Sequence, residues 1–520
     1  MGNSPHTASI HILDDDSLLH IFYLYRPFTL GEDEPDNVLN SRLTGGERSW
    51  ADERWWFKLA HVCQRWRNVI LGSASYLSLF LVCTKGTPVA DMLAHSPPLP
   101  LVIDYFEFPD ITPEDEKGIL LTLKQRDRVR RVRLRIPVTS LHLQELIMAL
   151  DEEYPVLEFL LLSPWIGDEK MKLVFSETFQ APHLRHIVLV GFALPMGSRL
   201  LTTAAGLVTL CLRMDHPSTD LHPDILLHWL SFMPQLENLV LLFLFAVSNR
   251  DVQRQLARTP ITTTITLPNL RYFKSQGVVS TYLETVVRRI ITPRFENLDI
   301  HFFNQLTFSV QRLQQFMNAA ENLRFETVEF NFAVGQVYVL GYPREKVDDM
   351  HTFHLSVGCD HLDWQVTSVA QIFNSLSQAF TSVEHLAFNH WEHYNSTEEH
   401  NEVDRIEWRK LLSLFCNVKT FRIDKGLVEE LSRSLELDDG ERPLEVLPEL
   451  QELTYSAGGN AGDAFNSFVD ARQNAGRPVT LVRAYLKANA LWSLPMKPPG
   501  SHWRTVKLGM ILILEPSFHT

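Results

Sequence analysis

Apolar positions in the first eighty residues recur at helical spacing. Leu13, Leu18, Ile21, Phe22 and Tyr25 follow the acidic run Asp14-Asp15-Asp16, which suits a helix N-terminus, and predict a short amphipathic helix. Trp56, Leu59, Cys63, Trp66 and Ile70 step by three, four, three and four, which predicts a second helix with one aromatic-rich stripe. Between them residues 31–52 are polar, acidic and broken by Gly45-Gly46, the composition of a flexible loop. Two helices this short cannot bury so much apolar surface against each other, so the unit needs the following domain or a partner protein.

Further along, the pattern apolar-x-x-apolar-x-apolar returns at Val129, Leu157, Leu184, Leu207, Leu236, Phe295, Phe325, Met350, Val383, Val418 and Leu450, with a partial copy at Leu270. Neighbouring starts lie mostly 23 to 35 residues apart, room for one strand and one helix or loop per unit. Proline stands two residues ahead at Pro155, Pro182, Pro234, Pro268, Pro293 and Pro448, where it is expected to stop a preceding helix. Residues 145–150, 224–232, 309–320 and 364–380 read as the intervening helices. The expected fold class is α/β: a short all-helical N-terminal unit over residues 9–82, then a degenerate leucine-rich-repeat-like solenoid (horseshoe) over 98–515. A non-repetitive α/β domain is the alternative. The run of residues 239–247, LVLLFLFAV, reads as buried strand, being far shorter than the roughly 20 residues a spanning helix requires.

If the pattern positions face the core, the alternate residues of each strand form a ladder on the opposite face. It begins basic at Arg131, Arg133 and Arg135, turns apolar at Leu161, Val188, Cys211 and Val240, and ends polar at Lys274, Asp299, Glu329 and His354. An exposed row of aliphatics marks a binding site in a soluble protein, so Leu161, Val188 and Val240 are candidate substrate contacts. Arg131 and Arg133 could grip an acidic or phosphorylated segment through forked hydrogen bonds. The alternatives are a loop that covers the apolar row and a solvated edge strand for the arginines.

Composition narrows the partners. A chain of 520 residues with 45% hydrophobic content can fill several domains or one long array. Its net charge of -14 argues against nucleic acid or an anionic membrane as the main partner. Five cysteines without a C-x-x-C pair suit a reducing interior, cytoplasmic or nuclear. The aspartates at the start leave no basic, apolar secretory signal, so the Asn395 sequon is expected to stay unmodified, and His6 stands where N-myristoylation wants Ser or Thr. Enzyme signatures are thin. Gly72-Ser73-Ala74-Ser75-Tyr76 lacks the closing glycine of a nucleophile elbow, and no phosphate-cradling glycine loop occurs. His385, His390, His393 and His400 fit no zinc spacing, and the acids between Glu107 and Glu116 read as loop charge around Pro109 and Pro113. No catalytic residue, cofactor or metal is therefore expected.

Ile12-Leu13-Asp14-Asp15-Asp16-Ser17-Leu18-Leu19-His20-Ile21-Phe22 resembles the F-box opening L-P-x-E-L-L-x-x-I-F, with Asp14 in place of proline and Ser17 in place of an aliphatic. Leu59-Ala60-His61-Val62-Cys63-Gln64-Arg65-Trp66-Arg67 matches L-x-x-V-C-[KR]-x-W-R at most positions, with Gln64 where a basic residue is usual. With the continuation through residue 105, the N-terminal part is similar to a large group of fungal F-box proteins. The resemblance implies a small helical unit that docks on a Skp-type adaptor, and through it on a cullin scaffold, while the rest of the chain holds a protein substrate. It implies that Leu13, Leu18, Ile21, Phe22, Leu59, Val62, Cys63 and Trp66 form the adaptor face or brace it. Two function classes stand: a non-catalytic recruiting subunit of a ubiquitin ligase, and a repeat-based interaction scaffold whose F-box remnant binds no adaptor.

Overall fold

Each unit of the chain enters its strand in the same way. The computed structural model describes residues 13–25, 54–106, 111–137, 143–165, 173–214, 221–243, 264–278, 280–303, 305, 307–320, 322–344, 351–391, 403–436, 444–456 and 464–484. Within them every pattern-leading residue is buried, from Val129 through Leu270 to Leu450; Met350 lies outside the described residues. The backbone N–H groups of Leu157, Leu184, Leu207, Leu236, Leu270, Val383 and Leu450 each donate to the carbonyl three residues back, closing a turn. Proline at 155, 182, 234, 268 and 448 is the second residue of such a turn, where its fixed φ is favoured. It therefore starts a turn and does not end a helix, which corrects the expected role. One residue on, Glu158, Arg185, Val208, Glu237 and Arg271 donate N–H to the carbonyls of Arg130, Glu158, Arg185, Val208 and Glu237, stacking each unit on the one before.

The sheet that follows has 16 strands. They are β1 (Leu81–Cys83), β2 (Leu101–Tyr105), β3 (Val129–Pro137), β4 (Phe159–Trp165), β5 (His186–Val190), β6 (Thr209–Met214), β7 (Asn238–Phe243), β8 (Tyr272–Val278), β9 (Asn297–Phe302), β10 (Thr327–Ala333), β11 (Gln336–Tyr342), β12 (Phe353–Gly358), β13 (His385–Trp391), β14 (Thr420–Ile423), β15 (Glu452–Ser456) and β16 (Thr480–Ala484). Strands β1 to β9 are neighbours in chain order, the order then runs β12, β11, β10, and β13 to β16 complete it. Only β10 with β11 and β11 with β12 pair antiparallel; the rest of the sheet is parallel. The β10–β11 hairpin was not foreseen. It turns through Val334-Gly335, with Gly335 at φ +81, and Val337 and Val339 alternate inward on β11.

The expected helices occur at Leu143–Ala149, Pro223–Leu230, Gln311–Ala319 and Leu362–Leu376, the last continued by a 3-10 turn to Phe380. Their buried residues and one set of alternate strand residues form a single apolar cluster from Leu18 to Val479. The other strand face carries a separate row of Phe159, Leu161, Val188, Val190, Cys211, Val240 and Leu242. Mixed α/β architecture with one large, mostly parallel sheet is thus established. No helix among the described residues is long and apolar enough to cross a membrane.

The N-terminal unit consists of α1 (Asp15–Tyr25), α2 (Trp55–Ala60) and α3 (Gln64–Gly72). The single helix expected across Trp56–Ile70 is broken. Cys63 is extended at φ -161 and ψ 167, and its Sγ accepts from the Trp66 N–H at 3.5 Å, so it caps α3 and does not continue α2. The loop expected at 31–52 lies outside the described residues. The unit adjoins the β1 end of the sheet: Trp56 Nε1 donates to the Phe80 carbonyl at 3.2 Å and Arg54 Nη2 to the Val82 carbonyl at 2.7 Å.

Candidate functional site

The N-terminal unit has two contrasting faces. Leu18 and Phe22 of α1 point inward with Trp55, Trp56, Ala60 and Ile70, and join the core that contains Leu79 and Leu81. Phe22 meets Trp66 edge to face, ring centroids 4.9 Å apart. Arg65 clamps the start of α1, with Nη2 2.7 Å from Asp15 Oδ1 and 2.6 Å from the Leu13 carbonyl. The opposite side of the helix is open: Ile21, Tyr23, Leu24 and Tyr25 are exposed, as are Val62 and Tyr76, and Leu24 keeps 69% of its surface in water. Tyr23 lies against Tyr76 at 5.6 Å between centroids.

Of the residues expected to touch an adaptor, only Ile21 and Val62 are exposed. Leu18 and Phe22 are buried, so of the two expected roles, forming the adaptor face or bracing it, they can only brace, as their i, i+4 stripe faces the chain's own core. Leu13, Leu59, Cys63 and Trp66 are half-buried braces between the two faces. Tyr23, Leu24, Tyr25 and Tyr76 were missed, although the unbroken apolar run Ile21-Phe22-Tyr23-Leu24-Tyr25 already signals that a helix cannot turn all five inward.

The second candidate is the sheet face opposite the helices. Register places Asp104, Arg133, Leu161, Val188, Cys211, Val240, Lys274, Asp299 and His354 side by side on β2 to β9 and β12. The ladder expected from alternation is therefore present, but its openness is not. Leu161, Val188 and Val240 are buried, so the exposed aliphatic docking row is corrected to an internal one, and burial pushes the Cys211 thiol up to about 12. Arg133 is also buried: its Nε donates to Asp104 Oδ1 at 2.8 Å, and its guanidinium lies 5.3 Å from the Phe106 ring centroid. It is engaged within the fold and is not an open grip for a phosphate. Arg131 stays half-buried with its guanidinium 5.0 Å from the Phe80 ring centroid.

Chemistry concentrates where the ladder turns polar. Asp299 Oδ2 lies 2.7 Å from Lys274 Nζ and accepts from the Tyr272 hydroxyl at 3.4 Å. Its Oδ1 lies 2.8 Å from His301 Nε2 and 2.9 Å from His354 Nδ1. Burial alone would raise the Asp299 carboxyl, but the two histidines and Lys274 hold it well below the usual carboxylate range. Burial pushes the His301 imidazole below the ordinary histidine value despite the pull of Asp299. Desolvation beside the cluster and the neighbouring His354 lower the His351 imidazole too, its ring 5.6 Å from that of His354, although the residue as a whole is exposed. Beyond Leu340, Glu329 accepts from the Tyr342 hydroxyl at 3.5 Å and lies 3.7 Å from Arg422. Lys274, Asp299, Glu329 and His354 were legible as ladder positions. His301 was missed, though Asp299-x-His301 puts both on one strand face.

The histidine-rich segment divides. His385 Nδ1 lies 2.7 Å from Thr420 Oγ1 and its donor atoms come near those of Glu326 and Glu384, while His393 and His400 lie outside the described residues. Glu384 and Glu326 face Lys419 at 2.7 Å and Arg344 at 3.8 Å, an ordinary charge rim. No protein-family model matches the chain, and no curated protein matches it.

Proposed function

We propose that this chain is a substrate-recruiting F-box subunit of a cullin-based ubiquitin ligase, without chemistry of its own. The observation that carries the reading is the two-sided N-terminal unit. One face is fixed to the sheet by Leu18, Phe22, Trp55 and Trp56, and the other presents Ile21, Tyr23, Leu24, Tyr25 and Val62 to water. So dense an aliphatic and aromatic patch on short helices has the composition of an interface centre, and a Skp-type adaptor is the partner that the F-box resemblance implies.

The stacked units behind it read as a degenerate leucine-rich-repeat-like solenoid, with a turn, a strand and in most units a helix, and with the usual asparagine missing in most copies. In this reading the substrate is a protein held on the strand face. The buried apolar row stiffens that face, and the half-buried polar residues from Lys274 to Arg422 do the recognising. The protein works in the cytoplasm or nucleus, and neither nucleic acid nor membrane is a partner.

Co-purification of the full chain with a Skp-type adaptor tests the reading. Stoichiometric association that Val62→Asp abolishes is the expected result. Failure of the intact chain to bind any such adaptor would leave a repeat-based interaction scaffold with an F-box remnant.

A further inference from the structure

We propose that Asp299, His301 and His354 form a binding site for one divalent transition-metal ion, with Zn2+ as the probe. The three residues are brought together by sheet geometry alone. Asp299 and His301 alternate on β9 and so share a face, while His354 on β12 stands directly across from Asp299. Their donor atoms all lie within 4.8 Å of one another. Ligands about 2.0–2.2 Å from a metal stand about 3 Å apart in adjacent positions and slightly further apart in a tetrahedron. The contacts of 2.8 and 2.9 Å around Asp299 Oδ1 already have nearly that spacing, and the two imidazole nitrogens lie within 4.8 Å of each other.

The same contacts serve poorly as hydrogen bonds. Among the described residues neither Asp299 Oδ1 nor His301 Nε2 finds a partner within strict hydrogen-bond geometry despite the short distances, and both atoms are cut off from water. Buried donors and acceptors in that condition each cost about 1–3 kcal/mol. A cation among the three lone pairs satisfies them together.

The second carboxylate oxygen is already taken. Lys274 at 2.7 Å and the Tyr272 hydroxyl at 3.4 Å occupy Oδ2, which leaves Oδ1 as a single oriented ligand, the arrangement by which outer groups fix a metal-binding carboxylate. Two imidazole nitrogens and one carboxylate oxygen form a borderline donor set that prefers Zn2+, Fe2+ or Co2+ to Ca2+ or Mg2+. The Lys274 ammonium opposes a second cation, so the site is weaker than one built from the same ligands without it.

The test uses the full chain stripped with a chelator. Titration with Zn2+ by calorimetry should give one site, and Co2+ should produce a visible absorption spectrum that Zn2+ quenches. His354→Gln, on a half-exposed ring, and His301→Gln should each weaken Zn2+ binding by about tenfold or more. His385→Gln, in the rim cluster of Glu326 and Glu384, should leave it unchanged. Circular dichroism separates lost folding from lost binding. Should the folded wild-type chain take up no stoichiometric Zn2+, or the folded His301→Gln/His354→Gln double variant bind as tightly as wild type, the site does not exist.

Discussion

Replacing Ile21 and Leu24 by aspartate should abolish adaptor binding and leave the fold intact, whereas Phe22→Ala should do the reverse damage one residue away. Ile21 and Leu24 keep 43% and 69% of their surface in water, so most of their burial is still available to a partner. Full burial of a Leu or Ile side chain contributes about 1.5–3 kcal/mol, which leaves about 2 kcal/mol for Leu24 and about 1 for Ile21. An aspartate forced into the same contact adds a desolvation cost of at least about 1 kcal/mol. The double variant should therefore lose more than about 3 kcal/mol of binding, over a hundredfold in Kd. Its stability should stay within about 0.5 kcal/mol of wild type, as for surface changes generally. Phe22 is buried, with Trp66 packed edge-on at 4.9 Å, so truncation to alanine should cost about 3–5 kcal/mol of folding.

Urea titration followed by tryptophan fluorescence reads the folding stability, since Trp55, Trp56 and Trp66 all lie in the unit. Surface plasmon resonance against an immobilised Skp-type adaptor reads the binding. Wild-type affinity in Ile21→Asp/Leu24→Asp would refute the docking face. A loss of stability equal to that of Phe22→Ala would show instead that the outward stripe is covered by the chain itself.

The remaining predictions concern the sheet. The His301 and His351 imidazoles near Asp299 both titrate below their unfolded value of about 6.5, so the unfolded chain takes up protons first as pH falls through that value and stability declines. Asp299 works the same way lower down: its stabilisation is complete above the unfolded carboxyl value of about 3.9 and is lost as pH falls towards its depressed folded value. Melting temperature should accordingly drop between pH 7.5 and 5.5, less so in His301→Gln, and a flat profile would contradict the lowered His301 value. Asp104→Ala removes the carboxylate paired with the buried Arg133 and should cost up to about 3–5 kcal/mol, whereas Asp104→Leu with Arg133→Met should recover most of it; chemical denaturation decides. At Gly277, where φ is +76, an added Cβ would stand 1.7 Å from the Phe243 carbonyl oxygen on the neighbouring strand. Gly277→Ala should therefore destabilise by clearly more than about 1 kcal/mol, visible as a shifted urea midpoint.

Much of the array could be read from the chain because one local rule repeats. A buried apolar residue closes a turn and the strand begins two residues later, as at Leu157 and Phe159, Leu184 and His186, or Leu450 and Glu452. Period-two alternation then fixes which residues share a face, so Lys274, Asp299 and His354 could be placed on one row before any pairing was known. What alternation cannot supply is coverage. Leu161, Val188 and Val240 have the composition of an open binding row but are internal, because burial depends on what lies above a strand and not on the strand's own period. At the N-terminus the spacing of three and four ran smoothly through Cys63, where the helix in fact stops. Periodicity is blind to a cap that happens to fall in phase, and only the Sγ contact to the Trp66 N–H marks the break.

The reversed order of β10, β11 and β12 has an electrostatic consequence at the polar cluster. Regular stacking would seat β10 against β9, and since both strands begin two residues after their leading phenylalanine, Phe295 and Phe325, Glu329 would fall directly opposite Asp299. Two carboxylates at a cross-strand distance of about 5 Å repel, and one would have to be protonated or balanced by added cations. The detour through α4 (Gln311–Ala319), which carries the chain past two strand positions, and the return through α5 (Leu362–Leu376) insert β12 in that place. His354 then stands across from Asp299, and Glu329 moves two strands further, behind Leu340, to face Ala387 with Arg422 within 3.7 Å. A stretch that breaks the repeat thus converts a repulsive pair into a carboxylate flanked by two imidazoles. Among the described residues, the reversed strand order of the large sheet and the Asp299, His301 and His354 cluster thus fall at the same place on this face.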